Sequence, residues 1–199
     1  LGFFTLSFIF LFTKDFLIQF LSIISNLVDT EQPIDNSKRD FIKKSITLGI
    51  IGISGTATGL GFYNSRKGPS VIKHDIFLES LPESFNNFTI AQISDLHIGP
   101  TINRPYVENV LDKISIHNPD LIAVTGDLVD GSVQYLRSDL APLKDMIAPF
   151  GTYFVTGNHE YYSGVDLWLD ETDRLGMKNL INSNELVSKS GDQIAIAGI

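Results

Sequence analysis

Apolar residues crowd every face of residues 1–28, in which the only charged residues are the adjacent Lys14 and Asp15. A surface helix would show a polar stripe, and none is present. The pattern therefore predicts a membrane segment at 1–28 rather than a buried core helix. Residues 29–44 form a polar and basic linker. Ser45–Tyr63 is a second apolar stretch, rich in Gly, Ile, Ser and Thr, and predicts a transmembrane helix or signal-anchor. Lys38, Arg39, Lys43 and Lys44 precede it, and Arg66 and Lys67 follow it. Basic flanks tend to stay cytoplasmic, so the heavier cluster on the N-terminal side predicts that the chain emerges outside after residue 63.

Past Val71 the period shortens. Val71–Leu78 reads as an edge-like strand, ended by Leu81-Pro82. Phe88–Ile93, Asp120–Thr125 and Gly151–Thr156 read as strands. Between them, Asn103-Arg104-Pro105 opens a helix that runs to about His117, with proline near its first turn. Val133–Ile147 reads as a helix bent or delayed by Pro142. Gly164–Leu175 reads as a helix with Leu167, Trp168 and Leu175 toward the core and Gly176 as its stop. Short strands follow at Asn179–Ile181, Glu185–Val187 and Gln193–Ile199. Strand alternates with helix, which predicts an α/β domain over 71–199, built on a largely parallel sheet with helices on its faces.

In open α/β sheets ligands bind beyond the carboxyl ends of the strands. Three polar clusters fall there: Asp95-Leu96-His97, Gly126-Asp127 and Gly157-Asn158-His159-Glu160. Asp, His and Asn offer oxygen and nitrogen donors to divalent cations. The chain contains no cysteine, so neither a thiolate site nor a disulfide framework exists. Asp95 and His97, one residue apart, would share a side of an extended backbone. Gly126 allows a sharp turn before Asp127, whose two oxygens suit a bridge between two cations. Asn158 adds a neutral oxygen. His159 suits proton delivery to a leaving group as well as ligation. Asp130 reads as a turn-capping residue. Glu160 reads equally as a residue that orients His159 or as one that sits in solvent. Tyr161 and Tyr162 read as packing residues, and His117 as a helix-end residue.

These motifs, in the contexts Ile93-Ser94-Asp95-Leu96-His97-Ile98-Gly99 and Thr125-Gly126-Asp127-Leu128-Val129-Asp130-Gly131, resemble the first three motifs of the calcineurin-like metallophosphoesterase family, in its membrane-associated bacterial branch. The resemblance covers about residues 71–199. It implies an αββα sandwich, present here in part and preceded by transmembrane helices. It implies a hydrolase that cleaves phosphoester bonds through a dinuclear metal centre and a metal-activated hydroxide. It implies that Asp95 and His97 bind the first metal, that Asp127 bridges both, that Asn158 binds the second, and that His159 is the catalytic acid. The metals would be two divalent ions drawn from Mn, Fe, Zn or Mg. The family also uses a later His and a Gly-His-x-His motif, which this sequence lacks; the expectation is a chain shortened at its C-terminus. Ser37-Lys38-Arg39-Asp40-Phe41-Ile42-Lys43 also resembles a twin-arginine export signal in which Lys replaces the first Arg.

Charge sharpens the division of the chain. Residues 1–70 carry a net +2, and residues 71–199 a net −10. So acidic a domain presents no evident nucleic-acid-binding surface, yet a phosphate substrate is compatible with it once cations reverse the local field. The expected partners are thus a phosphoester substrate and the lipid bilayer, with the catalytic domain on the extracytoplasmic side. One alternative is a non-catalytic scaffold of the same fold that binds a partner at the membrane. A doubly wound nucleotide-binding domain is disfavoured, since no GxGxxG follows the first strand and no GxxxxGK[ST] occurs.

Overall fold

The computed structural model describes residues 1–27 and 36–199, and these divide into two compact units, Leu1–Ser65 and Arg66–Ile199. The first part of the expected linker, residues 29–35, lies outside the described residues. The remainder, 36–44, is helical and not a separate linker.

The first unit holds two long helices, α1 (Gly2–Leu27) and α2 (Asn36–Arg66). Both are long and apolar enough to cross a membrane. They run antiparallel. Phe3 lies against Gly55, Gly2 lies near Thr58, and Lys14 Nζ donates to Thr47 Oγ1 at 3.1 Å. Small residues let the two backbones approach. Hydroxyls turn inward on their own helices: Thr13 donates to the Ile9 carbonyl, Thr47 to Lys43 and Thr56 to Gly52. Such bonding suits a medium without water. Phe4, Phe8, Phe12 and Phe16 of α1 stay exposed, as side chains facing acyl chains would be.

The second unit is built on a four-stranded parallel sheet. Its strands β1 (Ile90–Ile93), β2 (Leu121–Thr125), β3 (Thr152–Val155) and β4 (Lys178–Asn179) lie side by side in chain order. Ile90 pairs with Leu121, Ile122 with Thr152, and Tyr153 with Lys178. Right-handed crossovers in such an order deliver every connecting helix to one face. Those helices are α3 (Arg104–His117), α4 (Val133–Leu140) and α6 (Val165–Arg174), with a short α5 (Asn158–Ser163) ahead of the last. The other face meets an antiparallel hairpin, β5 (Ser183–Lys189) with β6 (Asp192–Gly198).

The strands' alternation divides the apolar side chains between two cores. Ile93, Ile122, Val124 and Phe154 pack with Val107, Val110, Leu136, Leu140 and Trp168 under the helices. Leu121 and Tyr153 pack with Phe85, Leu180 and Val187 under the hairpin. Helices, parallel sheet and antiparallel hairpin make up the partial αββα sandwich that the sequence leads one to expect.

Several local expectations change. Val71–Leu78 forms no strand: it runs without regular structure, and Ile72, Ile76 and Phe77 are exposed. Its alternation is strand-like, but a strand exists only through a ladder partner, and none pairs with it among the described residues. The helix expected over Val133–Ile147 stops at Leu140. A 3-10 turn, Ala141–Asp145, takes over where Pro142 has no N–H to give. Leu167 points to solvent, whereas Trp168 and Leu175 are buried as expected. Gly164 does not simply open the last helix. At φ 98° it separates α6 from α5, a turn of helix not anticipated from the sequence.

Candidate metal centre

Beyond the ends of β1 and β2 the chain keeps its parallel pairing for a few more residues. The Asp95 and His97 amides donate to the Gly126 and Asp127 carbonyls at 3.2 and 3.0 Å. Ile98 bridges to Val129, and the Asp130 amide donates to the Ile98 carbonyl at 2.8 Å. The first two loops are therefore held as one rigid double strand. Within it Asp95, His97 and Asp127 sit at φ 55°, 47° and 50°. Left-handed backbone at non-glycine residues costs about 1 kcal/mol or more each, and it persists where surrounding bonds over-determine it. Asp95 and His97 thus converge through two left-handed turns, not through the extended backbone expected from their spacing.

The third loop docks against the second at a distance only glycine permits. A Cβ on Gly126 would lie 2.5 Å from the Gly157 nitrogen, and one on Gly157 would lie 2.2 Å from Asp127 Oδ1. Glu160 locks this contact. Its carboxylate, 1% exposed, accepts the amides of Asp127 at 3.1 Å, Leu128 at 2.8 Å and Gly157 at 2.7 Å. It neither orients His159 nor faces solvent. The His159 amide donates to Asp127 Oδ1 at 3.0 Å, which fixes the carboxylate itself.

The side chains converge on a small space. Ligating atoms of His97, Asp127 and His159 all lie within 4.8 Å of one another. His97 Nε2 stands 3.9 Å from Asp95 Oδ1 and 4.0 Å from Asp127 Oδ2. The Asn158 side-chain amide also meets Asp127: its NH₂ donates to Oδ1 at 3.3 Å and to Oδ2 at 3.1 Å. Two donors on one ion, each at about 2.1 Å from it, stand roughly 3–4 Å apart. His97 Nε2 stands at that spacing from the Asp95 and Asp127 oxygens, and a donor set of oxygen and nitrogen fits a divalent ion. Asp95 is exposed, and Ser94 Oγ donates to its Oδ2.

Asp130 does more than cap a turn. Its Oδ1 meets Nδ1 of both histidines, at 3.3 Å for His97 and more closely for His159. One carboxylate thus fixes two imidazoles and leaves both Nε2 atoms available. The rings meet edge to face with centroids 4.4 Å apart. Tyr162 is mostly exposed and lies against the edge of His159 at 5.7 Å, while Tyr161 Oη accepts from Thr156 Oγ1 at 3.4 Å. Neither is a core residue. His117 closes α3 before a left-handed Asn118, as its helix-end reading implies. A signal for Glu160 was present in the sequence: Gly157-x-x-Glu160 has the spacing of the acidic half of a capping box. The signal for Asp130 was its place three residues beyond Asp127, on the same continuing strand edge.

A family model described as calcineurin-like phosphoesterase matches residues 88–195. The chain is 37% identical over 143 residues to a transmembrane protein with metallophosphoesterase domain from Danio rerio, covering 70% of this chain and 33% of that protein. The Bos taurus protein of the same description is 35% identical, over 70% of this chain and 33% of its own length. An uncharacterized metallophosphoesterase from Helicobacter pylori is 30% identical, over 78% of this chain and 40% of its own. The chain spans about a third of the length of the two animal relatives.

Proposed function

Since the chain belongs to the calcineurin-like phosphoesterase family, we propose that it is part of a membrane-tethered, metal-dependent hydrolase of phosphoesters. The observation that carries this reading is the convergence of His97, Asp127 and His159 donor atoms within 4.8 Å at the carboxyl end of a parallel sheet. Asp95, His97, Asp127 and Asn158 would hold two divalent cations, with Asp127 shared between them. Such a pair supplies positive charge for a phosphate and lowers the pKa of water.

The protein's own groups do the rest. Glu160 holds the Asp127 backbone, and the His159 amide holds its carboxylate, so that Asp127 is set before any ligand arrives. Asp130 keeps Nδ1 of His159 engaged, which aims Nε2 outward. From there Nε2 gives a proton to the departing alkoxide, a role worth roughly 10²–10⁴ in rate. The half-exposed histidines leave the site open to solvent and to a substrate headgroup.

The test uses the whole protein with Mn²⁺ and two substrates of different leaving-group ability, 4-nitrophenyl phosphate and phenyl phosphate. His159→Gln is expected to slow phenyl phosphate turnover by about 10²–10⁴-fold, to slow the activated ester far less, and to keep its metal. Stripping of metal by this substitution would make His159 a ligand instead. Metal binding by the unsubstituted protein without turnover of either ester would favour the scaffold over the enzyme.

A further inference from the structure

Trp168 is the one tryptophan of the chain, and its side chain is completely buried under α6. A buried indole N–H must find an acceptor or forfeit a hydrogen bond. Here Nε1 donates to the Gly131 carbonyl at 3.1 Å. Gly131 directly follows Asp130, whose carboxylate bridges His97 and His159. On its other side Asp130 is held by its own amide, which donates to the Ile98 carbonyl. Two bonds therefore bracket the residue that sets both imidazoles. One comes from the double strand and the other from the indole.

Trp168 is itself well anchored. Its amide donates to the Gly164 carbonyl at 3.2 Å. Two residues of α6 tie that helix to its neighbours: Glu171 pairs with Arg137 of α4, and Asn179 of β4 accepts from Thr172. The indole is thus a rigid strut between a fixed helix and the Asp130 loop. We propose that Trp168 is a positioning residue: its indole N–H, through the Gly131 carbonyl, fixes Asp130 and so the paired histidines of the candidate metal centre. It touches neither substrate nor metal. The proposal rests on the metal-dependent reading above for its consequence, and on the hydrogen bond alone for its structural part.

Two variants of the whole protein test it. In one, 3-benzothienylalanine replaces Trp168, which keeps ring size and removes the N–H; in the other, Trp168→Phe removes both. Leu175→Ala is the control, a buried residue at the end of the same helix whose loss weakens packing only. The first readout is amide exchange in metal-free protein. The benzothienyl variant is expected to exchange faster by about tenfold at residues 130–132, as for local opening of a loop that has lost a tether, while the control does not. The second readout is the Mn²⁺ dissociation constant, expected to rise about tenfold in both Trp168 variants, as when a residue that orients ligands is lost. Exchange at 130–132 unchanged in the benzothienyl variant would overturn the proposal and leave Trp168 as core packing. An unsubstituted protein that binds no Mn²⁺ would instead refute the metal-dependent reading, and the exchange result would still decide the strut.

Discussion

Glu160 carries one of the heaviest hydrogen-bonding loads in the domain, although no atom of it points at the space between the histidines. Its two oxygens satisfy amides from two different loops. An ionised carboxylate accepts such bonds more strongly than a neutral amide. Glu160→Gln keeps the shape but must turn an NH₂ toward at least one backbone N–H. A cost of about 1–3 kcal/mol is expected in chemical unfolding, as for a buried donor left unpaired. A loss below 0.5 kcal/mol would show that the two loops hold together without it. The Gly157-x-x-Glu160 spacing pointed only to a local helix cap, because a spacing cannot show that the third loop packs against the second. Asp95, His97 and Asp127 were legible as chemistry but not as backbone. Their left-handed φ values arise from the pairing of two loops far apart in sequence, which no local pattern encodes.

At the scale of elements, α4 and α6 are joined by a charge cluster on one buried carboxylate. Glu171 pairs with Arg137 at 3.0 Å and with Arg174 at 2.9 and 2.5 Å. The Arg174 hydrogen bond is the largest influence holding the Glu171 carboxyl below its usual range; burial opposes it, and the charges of Arg174 and Arg137 add to it. A carboxyl depressed on folding stabilises the protein above its unfolded pKa of about 4.3, and that stability is lost as pH falls through the folded value. Glu171→Gln should therefore cost about 1–3 kcal/mol at pH 7, with the gap to the unsubstituted protein closing below about pH 4. Unfolding at a series of pH values reads this, and a gap independent of pH would mean that shape, not charge, joins the helices. Strands β1 to β3 and helix α3 were readable from period and proline because each is bounded by its own local signals. Val71–Leu78 was not, since alternation describes a strand's faces and says nothing about who pairs with its edge. Helix α5 escaped because six residues carry too little periodicity, and its capping signal overlaps the Gly157-Asn158-His159 motif.

For the whole molecule, two helices able to cross a membrane precede the phosphoesterase domain, and the two animal relatives are described as transmembrane proteins. We expect α2 to cross the bilayer with Lys38, Arg39, Lys43 and Lys44 in the cytoplasm, because translocating basic residues beside a span is disfavoured. The domain from Val71 onward would then lie outside. An alkaline phosphatase reporter joined after Ser70 should be active and a fluorescent protein that matures only in the cytoplasm should be dark; the opposite pair would place the site inside and turn the substrate search to intracellular phosphoesters. Within that domain, we propose, loops from three strands of one sheet build a centre for two cations around Asp127. Its most direct test is elemental analysis of the whole protein after saturation with Mn²⁺ and removal of the free ion, beside Asp127→Asn. Two ions per chain are expected in the unsubstituted protein, and loss of both in the variant. One ion or none at saturation, or two retained by Asp127→Asn, would contradict it.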